Sequence, residues 1–344
     1  MLATRTKHGD RHTMTTQMKS WWIRTEGNAM RLDLRDSPVP QAKAGELRIR
    51  VHAASLNRGE FVAGLGLHAA GAPARPAGFE AAGEVDQVGP GVTGFNVGDR
   101  VMGRCDASFA QWACMNVGEA LPVPAALSWE QAASTSLVLG TVHDILLAQG
   151  RLQAGEWVLV AGVSSGVGVA CLQVAKALGA RVIGTSGSQD KLERLKPLGL
   201  DVGVATRGEG LAKAVLEATG GRGADLAVNN VGGSMFAEIV QALAFQGRMA
   251  TVGYVDGVVK AQIDILALHK KRLTLYGVSN KLRSVEQRIE ATRHFARDLM
   301  PLLADGSIAP LIDQVFGFGQ LEAAKSYMEG GAHLGKIVLR VSEQ

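Results

Sequence analysis

The stretch that decides the fold is Trp157-Val-Leu-Val-Ala-Gly-Val-Ser-Ser-Gly-Val-Gly-Val-Ala-Cys-Leu-Gln-Val-Ala-Lys-Ala-Leu-Gly-Ala-Arg-Val-Ile-Gly-Thr185. Trp157 to Ala161 is a short apolar run, which suits a strand buried on both faces. Gly162, Gly166 and Gly168 break that run. Val167, Ala170, Cys171, Val174, Ala175 and Leu178 then recur at helical spacing and give a helix one apolar face. Gly179 ends the helix, and Ala180 to Thr185 reads as a second strand. A tight turn between a buried strand and a helix leaves unpaired N–H groups at the positive end of the helix dipole, where a dinucleotide pyrophosphate fits. The usual G-x-G-x-x-G would fall on Val163 to Gly168. Only its last glycine is in place, with an extra one at Gly166. The segment Ser164, Ser165, Gly166, Val167 and Gly168 is the expected phosphate turn, with the two serines donating where glycines only make room.

Working outward, 344 residues make two domains the default. The net charge of +4 is scattered, with no basic run interleaved with aromatics, so nothing indicates a nucleic-acid partner. Three cysteines, Cys105, Cys114 and Cys171, are too few and wrongly spaced for a disulfide framework or a zinc site. They imply a reducing, cytoplasmic compartment. No apolar stretch approaches the ~20 residues that span a bilayer, so no membrane partner is expected.

Residues 1–17 are polar and read as a disordered leader. From Met18 to about Gly140 the pattern is β-rich. Trp21 to Ile23 opens a strand, Leu47 to Val51 alternates apolar with basic, and Ala81 to Val85, Gly98 to Val101 and Phe109 to Met115 follow. Many short strands between turns suggest a barrel-like β domain. Ser128 to Gln131 is a capping box at a helix start. From Thr141 to Ser279 strands and helices alternate, including a helix over Ser234 to Phe245 and a sixth strand over Arg272 to Val278. That implies a doubly wound parallel sheet with a dinucleotide turn after its first strand. Residues 280–344 are too few to fold alone and are expected to rejoin 18–140, leaving 141–279 as the inserted dinucleotide-binding domain.

The motifs then carry a resemblance. Ser55-Leu-Asn-Arg-Gly-Glu60, Gly78-Phe-Glu-Ala-Ala-Gly-Glu-Val85, Val97-Gly-Asp-Arg-Val101, the Gly162 to Gly168 turn, Asn230-Val-Gly-Gly233 and Gly335-Lys-Ile-Val338 occur in this order. In them the chain from Met18 onward resembles the medium-chain dehydrogenase/reductase superfamily and, within it, the zinc-free quinone oxidoreductase branch. The resemblance implies an α/β fold: a GroES-like β-barrel catalytic domain plus a Rossmann domain, with the active site in the cleft between them. It also implies a homodimer joined through the sixth Rossmann strand.

The zinc-ligand positions of the superfamily are matched here by Asn57, Phe79-Glu80 and an apolar stretch near Leu137-Val138. Phenylalanine and aliphatic side chains cannot ligate zinc, so no metal is expected. Glu80 is left to pair with a base or a backbone donor. Without a Lewis acid, reduction of a quinone or an α,β-unsaturated carbonyl is favoured, because the acceptor delocalises the arriving charge itself.

An Asp or Glu at the end of the second Rossmann strand selects NAD. Thr185-Ser186-Gly187 has none, and Ser186, Lys191 and Arg207 can meet a 2′-phosphate, which points to NADPH. Asn57 is the expected donor to a substrate carbonyl. Glu60 stands where the family has an Asp, and reads either as a catalytic carboxyl or as a loop partner of Arg58. Thr141 resembles the residue that contacts the nicotinamide end, at the start of the helix entering the Rossmann domain. Val231, Gly253 and Tyr254 follow the fourth and fifth strands at their ligand-binding ends, with Tyr254 a candidate donor. The expected function is an NADPH-dependent reductase acting on a small-molecule quinone or enone. The alternatives are an enoyl-thioester reductase and an NADPH-binding protein with little catalysis.

Overall fold

The computed structural model describes residues 16–27, 29–62 and 73–342. The expected leader lies outside the described residues as far as residue 15. Gln17, counted with it, is instead the first residue of β1 (Gln17–Glu26), paired with Pro38 at the end of β2 (Ala29–Pro38). Then come β3 (Glu46–Ser55), β4 (Arg75–Pro76), β5 (Glu80–Val88), β6 (Arg100–Arg104), β7 (Trp112–Asn116) and β8 (Ala120–Pro122). The alternation in β3 buries Leu47, Ile49 and Val51 against Trp21, Ile23, Phe109 and Met115. The strand expected from Phe109 starts only at Trp112. Phe109 exchanges hydrogen bonds with Trp21 and Ala77, and the chain crosses to pair with β3 at Trp112.

β1, β2 and β4 form a small sheet packed on the larger first sheet of β3, β5, β6, β7 and β8, out of which two helices lead. In α1 (Trp129–Ala133) Ser128 and Gln131 form the expected capping box. In α2 (Ser136–His143) Thr141 lies near the C-terminal end, not at the start, and its Oγ1 donates back to the Leu137 carbonyl (2.7 Å).

The second sheet is parallel throughout. Its elements are β9 (Trp157–Ala161), α3 (Gly166–Ala177), β10 (Arg181–Ser186), α4 (Gln189–Leu195), β11 (Val202–Ala205), α5 (Leu211–Ala218), β12 (Ala224–Asn229), α6 (Gly233–Ala242), β13 (Leu243–Thr251), α7 (Ile265–Lys271) and β14 (Thr274–Gly277). The strand order is β11-β10-β9-β12-β13-β14, a doubly wound sheet with its crossover beside β9. The helix expected to reach Phe245 stops at Ala242. Leu243 already pairs with Ala224 on β12, and the register then shifts past a left-handed Gln246 (φ +61°).

After α8 (Val285–Ala304) the chain returns. β15 (Ile312–Gly317), α9 (Leu321–Glu329) and β16 (Lys336–Arg340) complete it, and β16 inserts between β15 and β3 of the first sheet. One apolar core runs through both parts: Ala53, Ala82 and Met102 pack in the same cluster as Val142, Leu172 and Phe295. The cleft between the sheets therefore borders a core shared by both parts. No helix of the described residues is long and apolar enough to cross a membrane.

Candidate active site

The cleft between the two sheets holds about 470 Å³ and draws its walls from both. On one side lies the glycine turn. Ser165 is the N-cap of α3: its hydroxyl accepts from the Gly168 N–H (3.0 Å) and donates to the Gly162 carbonyl (2.9 Å). That hydroxyl proton is therefore committed, which corrects the expectation that Ser165 donates to phosphate. The donors available at the turn are the backbone N–H groups of Gly166 and Val167, which carry no hydrogen bond among the described residues. Both residues line the cleft. Ser164 acts through its backbone, its carbonyl accepting from Gly335 N–H (3.0 Å).

The two glycines of the helix start have different physical reasons. A Cβ on Gly168 would strike the Gly162 carbonyl and the Val163 backbone, so this glycine lets the helix close on the strand. A Cβ on Gly166 would fall 2.7 Å from Cδ of Lys336. The glycine that looked extra makes room for a lysine stem arriving from the other sheet.

Lys336 opens β16 and is buried at 6% exposure. Its ammonium donates to the Leu56 carbonyl (3.0 Å), Asn57 Oδ1 (2.8 Å) and Glu80 Oε1 (3.1 Å), so all three protons are placed. Glu80, fully buried, also accepts from Asn57 Nδ2 (3.0 Å) and from the Leu137 N–H (3.0 Å). It pairs with a base and a backbone donor, as expected of it. Asn57 Nδ2 donates a second time, to Glu60 Oε1 (2.9 Å). Both amide hydrogens are thus held by carboxylates. Asn57 is a positioning residue here, not the free donor to a substrate carbonyl that the sequence suggested.

Glu60 is 3% exposed and lines the cleft. Arg58 is not its partner, because that guanidinium donates to the Met328 carbonyl (3.1 Å). Its Oε2 is buried with no hydrogen bond among the described residues. Burial pushes the Glu60 carboxyl up to about 8. The Asn57 hydrogen bond opposes the rise, the charge of Glu80 adds to it, and Lys336 and Arg75 pull against it.

The far wall is the carboxyl edge of the parallel sheet. Gly253 and Tyr254 line the cleft, whereas Val231 is not among the lining residues and its neighbour Asn230 is. Asn230 Nδ2 donates to the Ala161 carbonyl (3.1 Å) and its Oδ1 is buried with no partner among the described residues. An unsatisfied acceptor beside the phosphate turn suits a ribose hydroxyl or a carboxamide N–H. Thr141 and Val138 of α2 lie opposite.

Beyond the cleft, Ser186 ends β10, its Oγ accepting from the Ser188 N–H (3.2 Å). Arg207, exposed, covers Gly187: a Cβ there would lie 3.1 Å from the guanidinium. Lys191 departs from expectation. Its ammonium donates to the Gly331 (2.7 Å) and His333 (2.8 Å) carbonyls and ties α4 to the loop before β16. Among the three expected 2′-phosphate partners, Arg207 and Ser186 share the strand end and Lys191 is engaged elsewhere.

Two residues escaped the sequence reading. Lys336 stood inside a quoted motif without a role. The signal was a cation in an otherwise apolar strand, Ile337 to Leu339, where a charge is buried only if paired. Asn230 was likewise in a quoted motif, with nothing in the local pattern to separate it from Asn229. Among the described residues no three His, Cys, Asp or Glu side chains gather as a metal site would require.

Comparison with known proteins fits this geometry. Residues 43–125 match the family described as alcohol dehydrogenase GroES-like domain, and 166–294 the one described as zinc-binding dehydrogenase. A mycobacterial protein solved in complex with NADPH is 27% identical, with a TM-score of 0.85 over 94% of this chain and 100% of that one. The chain belongs to the medium-chain dehydrogenase/reductase superfamily. Within that superfamily, a mycobacterial quinone oxidoreductase superposes with a TM-score of 0.80 at 27% identity, over 94% of this chain and 100% of its own. A highly reducing polyketide synthase of Alternaria alternata is 32% identical over 276 residues, 77% of this chain. The chain spans only 10% of that relative's length. Asn57, Phe79 and Leu137, which the resemblance set against the family's zinc-ligand positions, line the cleft and carry neither thiolate nor imidazole.

Proposed function

We propose that the chain is an NADPH-dependent reductase of quinones or α,β-unsaturated carbonyl compounds, working without zinc. The observation that carries the reading is the cleft itself. It joins the open N–H groups of the glycine turn to a polar network in which Lys336 and Glu80 stand in the family's metal region. The residues present fit a nicotinamide dinucleotide. Gly166 and Val167 would hold its pyrophosphate, Asn230 its nicotinamide half, and Ser186 and Arg207 a 2′-phosphate. When bound, the reduced cofactor supplies hydride. Val138, Val252 and Val278 line the cleft with aliphatic side chains, and an acceptor with a conjugated carbonyl needs no Lewis acid to take up the charge. The similarity to a mycobacterial protein complexed with NADPH supports the choice of cofactor.

An enoyl thioester is a second reading of the acceptor. It is favoured by the likeness to a reducing polyketide synthase; of the cations at the cleft wall, Arg104 and Arg288 pair with Glu119 and Arg58 bonds the Met328 carbonyl. The deciding experiment follows NADPH and NADH oxidation with quinones, enones and crotonyl-CoA as acceptors. Turnover with NADPH on a quinone or enone supports the first reading, and turnover confined to crotonyl-CoA supports the second. Tight NADPH binding with no acceptor reduced would leave a binding protein.

A further inference from the structure

Reduction of a conjugated carbonyl needs a proton as well as a hydride, and the cleft holds one carboxyl placed to keep it. Three observations converge on Glu60. It lines the cleft while being 3% exposed. Its Oε1 accepts from the same amide nitrogen that serves Glu80, so two carboxyl groups share one donor and only Glu80 has the ammonium of Lys336. Its Oε2 is buried with no partner among the described residues. A bare carboxylate oxygen in that position is costly, whereas a carboxylic O–H is tolerated.

We infer that Glu60 is the acid that supplies the proton to the reduced acceptor. The inference rests on the reductase reading. In the step, hydride adds to the β carbon and the C=C π pair moves onto the α carbon and carbonyl oxygen as an enolate. The Glu60 O–H bond breaks and its proton forms the new C–H or O–H bond. The acceptor is reduced by two electrons, the nicotinamide is oxidised by two, and the Glu60 carboxylate regains a proton from water after product leaves. The groups that set its protonation are Asn57 on its own turn, Glu80 on β5, Lys336 on β16 and Arg75 on β4. Glu80 and burial favour the acid, and the two cations oppose it.

The test compares wild type with Glu60→Gln and Glu60→Asp, and follows the carboxylic-acid carbonyl band of the cofactor-free protein by difference infrared spectroscopy. Glu60→Gln keeps the acceptor for Asn57 and removes the acidic proton, so NADPH affinity is expected unchanged while kcat falls about 100-fold or more. Glu60→Asp is expected to recover part of that loss. In wild type the acid band is expected near neutrality and lost as pH rises through about 8, together with an alkaline limb in kcat/KM. Glu60→Gln lacks both. An active wild type matched by Glu60→Gln, or a band titrating in the ordinary carboxylate range, would overturn the assignment alone. A wild type that reduces no acceptor would overturn the reductase reading with it.

Discussion

A single amide, that of Asn57, bonds two carboxyl groups and one ammonium, and each of the three is buried. Such a network is stable only when complete, since a lone charge left inside has no water to answer it. Lys336→Met is therefore expected to lower the unfolding free energy by about 3–5 kcal/mol, and a double variant with Glu80→Gln to recover part of the loss. Urea unfolding of the two variants measures this; a single-variant loss below about 1 kcal/mol would mean the pair is not stabilising. Glu60 adds a pH dependence of known sign. Its folded value lies near 8 and its ordinary value at 4.5, so the fold prefers the protonated form. That contribution is fully present below pH 4.5 and is lost as pH rises towards 8. Wild type should lose stability relative to Glu60→Gln across that window, and urea midpoints at its two ends would show the difference opening with pH. Parallel behaviour of the two proteins would place the Glu60 proton elsewhere.

At the scale of elements, cofactor choice sits at the end of β10. An acidic side chain there would repel a 2′-phosphate, and the chain offers Ser186 and Gly187 with Arg207 laid over the glycine. Arg207→Ala should remove one charge-assisted contact. It is expected to lower kcat/KM for NADPH about tenfold or more while leaving NADH nearly unchanged. An equal fall with both cofactors would show that Arg207 serves the fold rather than the phosphate. The parallel strands were legible because burial on both faces writes them as apolar runs, as in Trp157 to Ala161. The boundary at Ala242 was not, because Leu243, Ala244 and Phe245 continue an apolar pattern and the left-handed turn falls on Gln246 rather than on a glycine. Of the site, Asn57 and Glu60 were visible in one short motif. Lys336, the partner of Asn57 and Glu80, was not, because it lies 256 residues from Glu80 and only the insertion of β16 beside β3 brings the two together. A hydroxyl's commitments are equally invisible in sequence: Ser165 reads as a phosphate donor until its two backbone bonds are seen.

For the molecule as a whole, the Gly335 N–H bonds the Ser164 carbonyl of the glycine turn, Lys191 of α4 bonds the His333 carbonyl, and the Lys336 stem packs over Gly166, so the turn and the polar network adjoin. The opposite side of the Rossmann sheet is open. β14 pairs only with β13, and its outer edge is unpaired among the described residues. Before it in the chain, Val259, Ile265 and Leu266 are more than half exposed. An edge strand next to exposed aliphatic side chains is a template for another strand, and proteins that leave one uncovered risk association. The homodimer that the family resemblance implies through the sixth strand would cover it, the two β14 strands running the sheet across the pair. Sedimentation of the wild type should then give a dimer. The double variant Ile265→Glu, Leu266→Glu should raise the dimer dissociation constant by at least about tenfold (1.4 kcal/mol), with NADPH affinity unaffected because α7 lies outside the cleft. A monomeric wild type would refute the pairing, and a dimer untouched by the two charges would place its interface on another face.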